Sequence, residues 1–371
     1  MVKLIYTMNC KQINALDDLE DLVGVTHLTF DNNFNVSLDG INFKKVTHLT
    51  LRNNFNQSLS DVDFQNITHL TLGYNFNQNL NDVDFKNVTH LTFGLRFNQS
   101  LDFVDFKNVT HLTLGGCFNR YLSCVDFKNI AHLTFGIRFD LNLDAVDFKN
   151  VTHLSFGTLF NQNLTGVDFK NVTHLTLGFH FNKSFNGVDF KNITCLTLGY
   201  YYNQSLSGVN FNNVTHLTFG DCFNQSLNGA DFHNITHLIF GYCFNQNLND
   251  VDFKNVIYIK LGDNFDHDID ANVFLNRQII LHDKYYQNPL RQIKNNKLPI
   301  FSGDKIYNND CPICCDSETT IVLSCGHAFC QFCILECMKT QINSCGVCRA
   351  TDIKYFKNPD FPKLATYKSL S

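Results

Sequence analysis

A mainly β solenoid followed by a small metal-stabilised module is the fold class this sequence predicts, on three observations. An aromatic residue recurs without slippage every 21 residues, from Phe34 to Phe265, with Tyr202 the one tyrosine in the series. The residues before each aromatic alternate apolar and polar, as in His90-Leu91-Thr92-Phe93, which is the period of a short strand. Nine of the 15 cysteines fall between 311 and 348 at short, regular spacings. Internal repetition at this period marks a stacked array, and clustered cysteine pairs mark metal ligation in a reducing compartment.

The chain of 371 residues is long for one globular domain and suits an array plus a module. Phe occurs 37 times, Trp is absent, and only 17% of residues are charged, a composition that buries aromatic surface in a regular way. Residues 1–276 carry 17 Lys and Arg against 26 Asp and Glu, and residues 277–371 carry 12 against 8. Neither part is basic enough to point to nucleic acid. No stretch reaches the ~20 apolar residues of a membrane span, and the first residues lack the apolar run of a signal peptide, so an intracellular protein without membrane contact is expected.

Residues 1–24 read as an N-terminal cap, and residues 25–286 as about 12 repeats. Each unit follows the pattern of Val88 to Asn108, V-T-H-L-T-F-G-L-R-F-N-Q-S-L-D-F-V-D-F-K-N. One unit's apolar side chains barely offset the entropy of ordering 21 residues, so stability is expected from the interfaces between stacked units. Leu91 and Phe93 are predicted to point inward and His90 and Thr92 outward. Gly94 is expected where the chain turns after the strand, and the residue after the aromatic (Asn98, Asn119, Asp140, Asn161) is expected to bond the backbone of an adjacent coil.

These segments resemble the FNIP repeat, a leucine-rich-repeat-like unit known from social amoebae and giant viruses. The resemblance covers about two thirds of the chain and rests on the F-N and H-L-T-L/F-G segments, with Tyr202, Cys195, Ile257 and Tyr258 as departures. It implies a leucine-rich-repeat-like solenoid. The location expected for a chain without an export signal is the cytoplasm, that of a host cell if the protein is viral. The periodicity itself leaves open a curved horseshoe or a straighter β-solenoid.

The in-register histidines (His27, His48, His69, His90, His111, His132, His153, His174, then His216 and His237) are expected to form an outward row about 5 Å apart. A line of rings lacks the convergent geometry of a zinc site, so neutral packing is the favoured reading, with mutual repulsion resisting protonation. Between Gly and aromatic lie two residues that vary from unit to unit, such as Leu95-Arg96, Thr158-Leu159, Phe179-His180 and Tyr200-Tyr201. They read either as a recognition surface on a rigid frame or as padding at the edge of the core.

All five prolines lie beyond residue 286, so the array is expected to end there, with residues 287–310 as a linker. Then follow Cys311, Cys314, Cys325, His327, Cys330, Cys333, Cys345 and Cys348, eight donors in four close pairs. That set fits two closed tetrahedral Zn2+ sites, structural rather than catalytic because no coordination position is left open.

The order of ligands resembles the RING finger of C3HC4 type, here 311–349, with residues 350–371 as a C-terminal tail. The resemblance implies one zinc on Cys311, Cys314, Cys330 and Cys333 and the other on Cys325, His327, Cys345 and Cys348. It further implies that Ile313 docks a ubiquitin-conjugating enzyme (E2) and that Arg349 bridges that enzyme to its ubiquitin, a task suited to a planar guanidinium. Two positions of the E2 groove depart from the family: Cys337 stands where relatives carry Trp, and Gly346 where they carry Pro. The function implied is an E3 ubiquitin-protein ligase whose repeats hold an unknown protein target. The alternatives are a protein-interaction scaffold with a structural zinc module and, least favoured, a nucleic-acid binder.

Overall fold

The structure, a computed structural model, describes residues 24–43, 45–248 and 251–267 with their side chains, together with the backbone of short strands at 10–13, 278–281, 300–302, 321–323, 328–329 and 355–356. It divides into two compact units, Met1–Ile235 and Thr236–Ser371. The chain is mainly β, with no helix among the described residues.

In the first unit, β1 (Cys10–Ile13) pairs in parallel with β2 (His27–Phe30), and β3 (His48–Thr50), β4 (His69–Thr71) and their successors to β11 (His216–Thr218) continue the sheet, one strand per coil. Register is strict: His48 faces His69, Leu49 faces Leu70, and Thr50 faces Thr71. A 21-residue spacing between strands of identical pattern fixes this register, because a slip of one residue would turn every inward Leu to solvent.

Each coil is one strand and three tight turns. After the strand at His90–Thr92, the turns are closed by Phe97 N–H to Gly94 O (3.3 Å), Val104 N–H to Leu101 O (3.1 Å) and Val109 N–H to Phe106 O (3.0 Å). The residues that end the turns are the apolar ones, so every corner drives a side chain inward. Leu91, Phe93, Phe97, Leu101, Val104, Phe106 and Val109 are all buried. Rings stack from coil to coil, as in Phe97 over Phe118 at 6.1 Å and Phe85 over Phe106 at 6.4 Å.

Polar groups between coils are satisfied in ladders. Asn77 Oδ1 accepts the Asn98 N–H (2.8 Å), Asn98 Oδ1 accepts that of Asn119 (2.9 Å), and Asp140 Oδ1 accepts that of Asn161 (2.8 Å). The residue after the aromatic thus does what its amide predicted, and the aspartate at 140 retains the acceptor. Gly94 does begin a turn, but a second constraint holds there. A Cβ on Gly94 would land on the carbonyl oxygen of Gly73, and one on Gly157 on that of Gly136, so close approach of adjacent coils excludes a side chain. The second turn carries a left-handed residue, Gly166, Gly187, Gly208 and Gly229 in later coils but Phe103 (φ 68°) in an earlier one.

Coil spacing is not uniform. Successive histidine rings on the solvent face of the sheet lie 4.0–4.2 Å apart, while the phenylalanine columns at the turns lie 5.9–6.4 Å apart. The coils of the first unit therefore fan outward away from the sheet, and the sheet lies on the inner side of the curve.

The second unit contains β12 (His237–Ile239), β13 (Tyr258–Lys260), β14 (Gln278–Leu281) and β15 (Ile300–Ser302). β12 to β15 are paired in parallel, and β12 and β13 are set 21 residues apart like the earlier strands. A separate antiparallel sheet is formed by β16 (Ile321–Leu323) between β17 (Ala328–Phe329) and β18 (Tyr355–Phe356).

Candidate functional site

The first unit presents two lines of variable or reactive side chains. One is the histidine row. Most of the threonines before row histidines donate their hydroxyl to the previous coil, as Thr89 Oγ1 does to Thr68 O (3.1 Å), and the same oxygen lies 2.9 Å from His90 Nδ1; His132, preceded by Ala131, has no such threonine. The hydroxyl hydrogen being used, Nδ1 must carry the proton and donate, which leaves Nε2 of the neutral ring as an acceptor. Partial burial, followed by the charges of neighbouring row histidines, lowers the pKa of His48, His90, His111, His132 and His153 below 6.5, and brings His69 down to about 4. These six rings therefore resist protonation, as the spacing predicted, but desolvation outweighs repulsion as the cause. The rings are also closer than the expected 5 Å because the coils converge on this face. Among the described residues, no three His, Cys, Asp or Glu converge into a metal-holding group.

The second line is the pair of residues inside each Gly-x-x-Phe turn. The sequence left these as recognition surface or core padding, and the structure decides for exposure: Phe179 is 42% exposed, Tyr200 38% and Tyr201 43%. Phe179 stacks on Tyr200 at 4.5 Å, and Tyr201 stands edge-on to Phe179 at 5.2 Å and to Tyr200 at 5.0 Å. Further along, Arg96 lies over the Tyr74 ring at 5.7 Å. Their exposure follows from the turn geometry, because the turn's last residue, Phe181 or Tyr202, already fills the core position. Sequence reasoning did not single out Phe103, which is 95% exposed in a left-handed conformation; the glycines at its equivalent position in other coils were the available signal.

The predicted zinc ligands Cys311, Cys314, Cys325, His327, Cys330, Cys333, Cys345 and Cys348 lie outside the described residues, as do Ile313, Cys337, Gly346 and Arg349. What is described around them is the three-stranded sheet. Leu323 and Phe329 fall on β16 and β17, which pair Val322 with Ala328 and Ile321 with Phe329. In the chain, Cys325 and His327 fall between these two strands. Residues 355–356, past the last predicted ligand, pair with β16. Seven thiols and one imidazole in four close pairs form a donor set that suits zinc.

Residues 311–348 match the zinc finger family of C3HC4 type, the RING finger, so the chain carries a RING finger near its C-terminus, and with it a zinc-binding module. A 53-residue segment, 14% of the chain, is 38% identical to the mouse (Mus musculus) protein E3 ubiquitin-protein ligase RNF114. Among solved structures, the chain is similar to CroV588, described as a novel circular LRR protein, with a TM-score of 0.54 and 28% identity over 76% of this chain. The chain spans 54% of that protein and 23% of the mouse ligase. The solenoid is thus leucine-rich-repeat-like, and the chain also carries a C3HC4 finger.

Proposed function

We propose that this chain is an intracellular E3 ubiquitin-protein ligase in which FNIP-type repeats over residues 25–286 hold a protein target. A linker at 287–310 leads to a RING domain at 311–349 that recruits a ubiquitin-charged E2. The observation that carries the reading is the complete C3HC4 ligand order at 311–348, together with the similarity to a ubiquitin ligase over a 53-residue segment. In this reading Cys311, Cys314, Cys330 and Cys333 hold one structural zinc, and Cys325, His327, Cys345 and Cys348 the other. The ions supply folding energy to the module. Ile313 then anchors the E2, and Arg349 holds ubiquitin in the reactive geometry, an interaction made only once the charged complex forms. The chain itself forms no covalent intermediate. It raises the effective concentration of a target lysine near the E2 thioester.

The testing experiment is autoubiquitination by the full chain across a panel of E2 enzymes. Arg349→Ala is expected to keep zinc and E2 binding and to lower transfer at least about tenfold. Ile313→Ala is expected to weaken E2 binding itself. Cys337 and Gly346 favour a second reading, a scaffold with a structural finger. Cys337→Trp separates the two: the ligase reading expects higher activity or a broader choice of E2, and inertness of both wild type and Cys337→Trp with zinc fully loaded would install the scaffold in its place.

A further inference from the structure

The Gly-x-x-Phe turns of the first unit line up coil on coil, and the eight turns from Arg52 to Tyr201 contain no carboxylate at their first three positions. Asp31 and Asp221 hold the flanking positions at either end. In a chain with 34 acidic residues this strip instead carries Arg52, Arg96 and Arg138, in every second coil, and ends in the exposed cluster of Phe179, Tyr200 and Tyr201. Neither Arg52 nor Arg138 makes an ion pair among the described residues, although acidic columns run elsewhere on the same coils.

We propose that this strip is the docking surface for an extended protein segment with carboxylates along the arginine end and an apolar or aromatic anchor at Phe179, Tyr200 and Tyr201. The proposal rests on the reading that the solenoid holds a protein target and gives that target its chemistry. The steps match. With the ring pair spaced 4.5 Å per coil, Arg96 and Arg138, which share a turn position two coils apart, stand about 9 Å from each other, close to one three-residue turn of polyproline II at ~3.1 Å per residue, which keeps every third side chain on one face. Seven coil steps then seat roughly ten such residues. Arginine and aromatic side chains are also those that carry binding energy at protein interfaces.

Nucleic acid would share the charge requirement, but the rings do not offer it a platform. Phe179 and Tyr200 already stack face to face and Tyr201 meets both edge-on, so the faces on which successive bases would lie are occupied by one another. Three arginines also neutralise too few phosphates for tight strand binding.

The experiment is fluorescence anisotropy with the full chain and a labelled synthetic peptide bearing three glutamates at every third position followed by Leu-Phe-Leu. Saturable binding is expected, weakened at least about tenfold when glutamine replaces the glutamates. R96Q with R138Q is expected to cost about tenfold and to flatten the salt dependence, whereas F179S with Y200S costs a similar factor and leaves the salt dependence in place. These side chains lie outside the core, and an unchanged circular dichroism spectrum checks that the variants fold. Absence of saturable binding, or wild-type affinity in both variants, overturns the proposal. So does tighter binding of an oligouridylate that is lost in the same variants. Autoubiquitination needs no target, so an active ligase that ignores the peptide sinks the strip alone, and an inert chain that binds the peptide sinks the ligase alone.

Discussion

Tyr202 is the one tyrosine in a column of phenylalanines, fully buried, and its hydroxyl has no hydrogen-bond partner among the described residues. Burial alone raises its pKa far above 10.0, so the group stays a protonated, unsatisfied phenol. Leaving such a group buried costs about 1–3 kcal/mol, and the ring itself already stacks on Phe181 at 6.2 Å and Phe223 at 6.1 Å. Tyr202→Phe is therefore expected to stabilise the chain by about 1 kcal/mol, read as a higher urea midpoint; a lower midpoint would refute the unsatisfied-phenol account. The histidine row makes a second prediction at this scale. Because His69 and its neighbours titrate below the ordinary 6.5 when folded, the unfolded chain binds more protons between pH 6.5 and about 4. Stability is then intact above pH 6.5 and lost as the pH falls through that window. Replacing His90 and His111 with Asn should flatten the loss between pH 6.5 and 5, and an unchanged slope would show that the row plays no part. The sequence announced this row by its period, but the tautomer set by a threonine, as Thr89 sets that of His90, becomes visible only when its hydroxyl is seen reaching the coil before it.

At the scale of the coil, almost everything that repeats in sequence repeats in space. The strand, the inward Leu and Phe, and the acceptor after the aromatic were legible because each is a local consequence of alternation or of one polar side chain. The glycine after the strand was legible only in part. Gly166 and Gly157 separate the two uses of the residue. Gly166 has φ +83° and open space around it, so Gly166→Ala should cost about 1–2 kcal/mol of left-handed strain. Gly157 has no such φ but abuts the Gly136 carbonyl, so Gly157→Ala must push two coils apart and should cost about 3 kcal/mol or more. Equal costs from thermal or urea melting of the two variants would remove the close-contact explanation. Sequence could not supply this distinction, because the carbonyl that crowds Gly157 belongs to the neighbouring coil and is seen only once that coil is in place.

For the whole molecule, the zinc module was the most legible part of the function, since ligand order is written in the chain and needs no contact information. The recognition strip was the least legible. Its residues vary from turn to turn, and the exposure of Ile137, Leu159, Phe179, Tyr200 and Tyr201 becomes visible only in the structure. Chelation is the test at this scale. Removing zinc should abolish transfer activity and release two ions per chain, while the β signal of the repeats persists, because no metal-holding group lies among the described residues. Release of a single ion would contradict the eight-ligand assignment.

The strict pairing of like with like, His on His, Leu on Leu and Thr on Thr from coil to coil, also bears on how the chain finds its fold. Any strand of the array is nearly as good a partner for a given neighbour as the correct one. A chain that loops out one whole 21-residue unit, such as residues 88–108, forfeits a single interface and keeps the rest in perfect phase. Misthreaded species of this kind should be long-lived during refolding, since correcting them means breaking many good interfaces to gain one. The same tolerance makes whole units dispensable in a way that no other length is: deleting 21 residues leaves a sound array, and deleting 20 leaves every later Leu on the wrong face.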